Sequence, residues 1–318
     1  MGASGLGSRS VIGYFFARLE QYIGASWIDL LSVLFPSDQA SETYKWLGQV
    51  PAMREWLGGR NAKGFLENGL TIANKKFEAT LEVSVDDIRR DKTQQIMIRI
   101  DELAQRVASH WTSLLSTLIA NGTGSTNGLC YDGQYFFDSD HSEGASGTQI
   151  NLLTATQVTE LDVTTAAAPT AAEAVSAILG VVAYMLNYKD NEGEPMNSEA
   201  KSFLVMTSPA LWKRLVPAVV NPVVNSGDTN AIVSLRQDGF DIKLAANPRL
   251  TYTTQFVTFR TDAPAKALIR QEEVPLEIAA KADGSEYEFD NDAHQYGVKA
   301  VRNVGYGYWQ YASHATLS

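Results

Sequence analysis

The chain has 318 residues, 45% of them hydrophobic, enough for one large domain or two. Its net charge of -10, with only 26 lysines and arginines, argues against a protein that grips nucleic acid, because phosphate neutralisation supplies most of that affinity; enclosing DNA without gripping it stays open. A single cysteine, Cys130, excludes an internal disulfide and suits a reduced compartment. Charged residues make up 19%, a low share that fits either a surface covered by neighbours or a large core.

Residues 1–10 are rich in Gly and Ser and read as mobile. Residues 11–34 place Phe15, Leu19, Tyr22, Ile23 and Trp27 among few charges and read as an amphipathic helix lying on another surface, within the subunit or outside it. The apolar run Val11 to Ala17 is too short to cross a membrane, and no signal-peptide pattern precedes it. Met1-Gly2 opens like a myristoylation signal, but Leu6 stands where Ser or Thr is needed. The segment Tyr44 to Arg60 combines Trp46 and Trp56 with Arg54 and Arg60, residue types enriched at interface hot spots; core packing explains the same composition nearly as well.

Residues 69–85 read as a hairpin turning at Asn74-Lys75. Leu70 and Ile72 form its first arm, and Phe77, Ala79, Leu81, Val83 and Val85 alternate with polar residues in the second. An isolated hairpin is barely stable in water, so Phe77 and Leu81 need a neighbour. Asp91 to Asn121 then reads as one helix about 40 Å long, with Ile96, Ile100, Leu103, Val107, Trp111, Leu114 and Leu118 on its stripe and Asn121-Gly122 as its stop. A second helix spans 166–188, opened by Pro169-Thr170. Phe203 to Met206 reads as a buried strand and Ser208-Pro209 as the start of a helix. Strands follow at 241–246, 254–260, 266–271, 274–280 and 296–311, the last carrying Tyr296, Gly305-Tyr306-Gly307 and Tyr308-Trp309-Gln310. Helices and strands mix without βαβ regularity, which gives the class α+β.

Chemistry has one candidate, Asp138-Ser139-Asp140-His141 near Cys130, whose carboxylates and imidazole suit a divalent metal or acid–base work. The same residue types favour turns, the stronger reading here. No phosphate-binding loop or GxGxxG occurs, and Ser208 lacks the glycines of a nucleophile elbow. The chain is therefore expected to be no enzyme and to need no cofactor or metal.

Four segments in order resemble the major head subunits of Mu-like phages, the gpT family. They are Tyr44 to Arg60, Asn74 to Ile88, Leu129-Cys130-Tyr131-Asp132-Gly133-Gln134 through His141, and Tyr296 to Gln310, so that the resemblance covers roughly residues 26–312. It implies a tailed-phage shell fold of the HK97 type. On that pattern residues 1–60 form an N-terminal arm, 61–90 an extended-loop hairpin, and 91–165 a peripheral domain with the spine helix 91–121. Residues 166–290 form an axial domain and 291–318 the return to the peripheral domain. The implied function is a major capsid protein that assembles into hexamers and pentamers around double-stranded DNA. Its partners would be further copies of itself and scaffold, portal and decoration proteins, with no membrane. Its place would be the virion, after assembly in the host bacterial cytoplasm. Candidate assembly contacts are Trp46, Arg54, Trp56, Arg60, Phe77 and Leu81. The alternatives are a cellular nanocompartment shell and a metal-dependent enzyme using Asp138, Asp140 and His141.

Overall fold

Apolar periodicity in two registers, every second residue in strands and every third or fourth in helices, sorts the chain into two hydrophobic cores. The structure, a computed structural model, describes residues 8–22, 24–45, 47, 69–90, 95–224 and 227–318. The chain opens with helices α1 (Ser8–Gln21) and α2 (Ile28–Leu31), then strands β1 (Ser32–Pro36), β2 (Ser41–Tyr44), β3 (Leu70–Ala73) and β4 (Lys75–Ser84). Helices α3 (Val85–Arg90), α4 (Gln95–Ala108) and α5 (His110–Ala120) follow, with short strands β5 (His141–Ser142), β6 (Thr148–Gln149) and β7 (Leu152–Leu153). Next come α6 (Ala171–Leu186), β8 (Ser202–Thr207), α7 (Pro209–Val220), β9 (Val223–Val224), β10 (Asp228–Thr229) and α8 (Ala231–Leu235). The chain closes with β11 (Asp241–Ala246), β12 (Gln255–Arg260), β13 (Leu268–Lys281), α9 (Glu286–Asn291), β14 (Ala293–Tyr306) and β15 (Ala312–Thr316).

Two sheets carry the cores. The first has the order β1-β13-β14-β4, parallel only between β1 and β13. The second has the order β11-β8-β12-β15-β7, parallel at its two edges and antiparallel inside. Strands β13 and β14 have 14 residues each, roughly 48 Å of ribbon. One end of this ribbon places Leu268, Ile269 and Tyr306 in the larger core. The other end places Tyr296 and Val298 in a smaller core with Val11 and Phe15 of α1, Val83 of β4 and Ile96, Ile100 and Ala104 of α4. The class is α+β, as the sequence implies.

Several expected elements form differently. The helix expected over 11–34 ends at Gln21, and the apolar stretch beyond it makes α2 and β1. β1 pairs with β13 from Ser32↔Leu268 to Pro36↔Glu272, so this part of the expected arm is built into the subunit's own sheet. The expected Gly/Ser-rich mobile start lies outside the described residues except for residues 8–10.

The hairpin expected at 69–85 does not form. β3 pairs with β2, from Ser41↔Ala73 to Tyr44↔Leu70, while β4 pairs with β14 from Ala293↔Ser84 to Arg302↔Lys75. Asn74 does not reverse the chain between them. Its backbone N–H donates to Ala40 O (2.8 Å), and its side-chain amide donates to Ser37 Oγ (3.0 Å) and Gln39 O (2.7 Å).

The single spine helix is two helices meeting at Ser109 (φ -80°, ψ 1°). The Ser109 N–H still reaches Gln105 O (3.0 Å), but its hydroxyl bonds back to Arg106 O (2.9 Å), a local competition that bends helices. Each half serves a different core: Ile96, Ile100 and Ala104 of α4 the smaller, Leu115, Leu118 and Ile119 of α5 the larger. The stop at Asn121 is as expected, while the expected start, Asp91, lies outside the described residues.

The strands expected at 266–271 and 274–280 are one strand, β13, with register shifts between Glu272 and Glu277 around Pro275. β13 is a strand of the first sheet. The final strand ends at Tyr306; after a turn through Trp309–Tyr311, β15 enters the second sheet between β12 and β7. The helix expected at 166–188 forms as α6, with a reciprocal cap: Thr170 Oγ1 accepts from Glu173 N–H (3.3 Å), and Glu173 Oε2 accepts from Thr170 N–H (2.8 Å).

Candidate functional site

The loop from Leu129 to Asn151 becomes a buried polar network beneath the corner between β14 and β15. His141 Nδ1 lies 2.6 Å from Asp132 Oδ2, and Nε2 lies 3.2 Å from Asn151 Oδ1. Its ring stacks on Trp309 at 4.1 Å and 7°. Asn151 also accepts from Asp138 N–H (2.8 Å) and donates to Phe136 O (2.7 Å). Tyr131 donates to Glu143 Oε2 (3.0 Å) and accepts from Gln310 Nε2 (2.9 Å). Burial pushes the Glu143 carboxyl up to about 7; the Tyr131 hydrogen bond opposes this, and the charges of Asp132 and Asp190 add to it.

This geometry assigns the network to packing. The partner of His141 is Asp132, not Asp138 or Asp140, and both ring nitrogens are turned to atoms of the subunit itself. Asp138 holds its own turn, accepting from the N–H groups of Tyr135 (3.0 Å) and Ser139 (2.7 Å). Asp140 is exposed. Cys130 is buried, its thiol 3.6 Å from Gly307 O, and burial pushes its pKa well up, the reverse of a reactive thiol.

The candidate assembly residues divide sharply. Trp46, Arg54, Trp56 and Arg60 lie outside the described residues. Their flanks are described: the β2–β3 ladder sets Tyr44 opposite Leu70. Tyr44 donates to Gln271 Oε1 (2.8 Å), and Gln271 Nε2 donates to Ile72 O (3.1 Å), tying both sides of the ladder to β13. Phe77 and Leu81 instead find partners inside the subunit. The Phe77 ring meets His110 edge-on at 4.5 Å, and Leu81, opposite Tyr296, packs against the smaller core.

One further group of titratable residues was not legible as a motif. Asp283, Glu288 and His294, spaced five and six apart, converge at the β13–β14 turn, with ligand atoms within 4.8 Å of one another. No standard metal-ligand spacing connects them, and only folding of the turn brings them together.

The fold is that of a tailed-phage shell subunit of the HK97 type. The structure matches a procapsid subunit of bacteriophage JBD30 with a TM-score of 0.54 at 22% identity, over 98% of this chain and 75% of that one. The model of the family described as Mu-like prophage major head subunit gpT matches residues 15–169 and 228–318, and the chain belongs to that family. It is 33% identical over 130 residues to the Mu-like prophage FluMu major head subunit of Haemophilus influenzae, covering 41% of each chain. It is 34% identical over 111 residues to the major capsid protein of Escherichia phage Mu, covering 35% of each. The matches thus span about two fifths or less of these relatives' length.

Proposed function

We propose that this chain is the major capsid protein of a tailed double-stranded DNA phage or prophage, assembling through hexamers and pentamers into an icosahedral shell. The observation that carries the reading is the capsid-subunit fold over nearly the whole chain, joined to membership of a head-subunit family. The driving force would be burial of surface repeated at every contact, so that shells form above a threshold concentration. A net charge of -10 suits a wall that confines DNA without holding it. On this reading the protein resides in the virion after assembly in the bacterial cytoplasm, with scaffold, portal and decoration proteins as partners. No described helix is long and apolar enough to cross a membrane.

Trp46, Arg54, Trp56 and Arg60 stay the candidate assembly contacts on this reading; in sequence they fall between β2 and β3, while β4, inside the expected 61–90 hairpin, is a strand of the first sheet. Electron microscopy of the purified protein tests the proposal. Shells, tubes or rings are the expected products; monodisperse small particles under every assembly condition would overturn it. A nanocompartment shell shares the fold. The identity to phage head subunits favours the phage reading, and particles that copurify with an enzyme cargo would reverse that preference.

A further inference from the structure

The turn joining β13 to β14 carries α9 and the group Asp283, Glu288 and His294. The His294 side chain is 4% exposed, and neither of its ring nitrogens makes a hydrogen bond. An unpaired buried imidazole is costly, so its environment needs an explanation. Nε2 points into the group: Glu288 Oε1 lies 3.3 Å away and Asp283 Oδ1 3.5 Å away, both outside hydrogen-bonding geometry.

These separations fit the edges of a coordination polyhedron. Ligand atoms about 2.0–2.2 Å from a tetrahedral ion stand roughly 3.3–3.6 Å from one another. The carboxylate is oriented from behind. Gly284 N–H donates to Glu288 Oε2 (2.7 Å), and Glu288 N–H donates to Ser285 Oγ (3.2 Å), which turns Oε1 toward His294. Asp292, in the left-handed region (φ 48°), ends α9 and swings the chain into β14 so that His294 arrives beneath the turn. Two residues further along the same face, the Tyr296 hydroxyl is also buried without a hydrogen bond.

We propose that Asp283, Glu288 and His294 form a binding site for one divalent cation of the zinc class. Imidazole with two carboxylates selects zinc and its neighbours over magnesium and calcium, which prefer oxygen ligands alone. Three protein ligands leave one position for water, on the side where the Asp283 side chain is 71% exposed. The ion fastens the 282–285 turn and α9 to the first strand residues of β14. It thereby fixes the presentation of Phe289, which is 91% exposed on α9. The site stands independently of the shell reading.

Equilibrium dialysis of the chelator-treated full-length protein against Zn²⁺ alone, and against Zn²⁺ with excess Mg²⁺, tests it. The expected result is one zinc per chain that magnesium does not displace, with a rise in Tm on loading. Asp283→Asn and Glu288→Gln should each weaken binding about tenfold or more, while Asp86→Asn on α3 should not. Asp283 is exposed, so its variant keeps the fold where His294→Ala could lose it. Cobalt loading should give the visible absorption of a tetrahedral site. No zinc retained, or zinc retained equally by both variants, would overturn the proposal.

Discussion

Gly305 and Gly307 flank Tyr306 in the segment that most strongly marked the sequence, and each is there for space. A Cβ on Gly307 would stand 2.5 Å from Lys266 O and 3.1 Å from Ala267 O, both backbone atoms that cannot rotate away. A Cβ on Gly305 would meet Ile72 Cδ1 and stand 2.8 Å from Ile72 Cγ1, side-chain atoms that can shift where the backbone at Gly307 cannot. The two glycines are therefore unequal. Gly307→Ala should cost roughly 1–3 kcal/mol, as overpacking does, and Gly305→Ala less. Denaturant midpoints of the two variants give the comparison, and a Gly307→Ala midpoint equal to wild type would refute the close approach. Between them Tyr306 donates to Leu118 O (3.0 Å) and stacks on Phe136 at 4.6 Å. The aromatic character of this stretch thus serves the subunit's own core.

Elements were legible where their signal is local. The two-residue alternation of β4 and the start of α6 after Pro169-Thr170 follow from neighbouring residues and were readable. Pairing partners were not, because β2 and β14 lie far along the chain from the strands they join. The break at Ser109 was hidden because the apolar stripe runs on through it while the core it faces changes. β15 escaped because Ala312-Ser313-His314-Ala315-Thr316 is small and polar, yet all but Thr316 are buried. The assignment of β4 to the first sheet alters what its substitution should do. Leu81→Asp puts an unpaired charge against the smaller core and should destabilise the subunit by about 2–4 kcal/mol. Thr80→Ser, exposed on the opposite face and keeping the hydroxyl that donates to Glu78 Oε2 (2.9 Å), should stay within about 0.5 kcal/mol of wild type. Chemical unfolding of the unassembled subunit measures both, and a Leu81→Asp subunit of normal stability would return this face to the pool of intersubunit contacts.

At the scale of the whole molecule, the candidate assembly surface and the acid sensitivity are separable. Replacing residues 46–68 by a short turn should keep the β2–β3 ladder and the circular dichroism of the subunit while abolishing closed particles in electron micrographs. Normal shells from this variant would remove the segment from the assembly contacts. Acid acts elsewhere. Burial lowers the pKa of His314 to about 4, and burial together with the charges of Arg302 and Arg249 lowers that of His110 to about 4. Both rings bind protons more readily in the unfolded chain. Stability should therefore be full above about pH 6.5 and fall as the pH drops toward 4, with His314 contributing on the order of 3 kcal/mol. A Tm series from pH 7.5 to about 4.5 should slope less for His314→Gln than for wild type. Equal slopes would show that the ring is not shielded in solution.

Among the described residues, the ribbon of β13 and β14 is the one pair of strands that enters both cores, and this makes it a gauge of how the subunit comes apart. Toward its larger-core end, Arg302 lies 4.7 Å and Arg270 5.7 Å over the ring of Trp111, at the start of α5, and near its middle the register slips between Glu272 and Glu277. The two sides of that joint belong to different hydrophobic cores, so the cores should open as separate units. Amide exchange along β14 then has a step in it: Tyr296 to Val298 lose deuterium protection with the smaller core, and Val304 to Tyr306 hold it with the larger. Equal protection from end to end would mean that the joint transmits unfolding and that the subunit melts as one body.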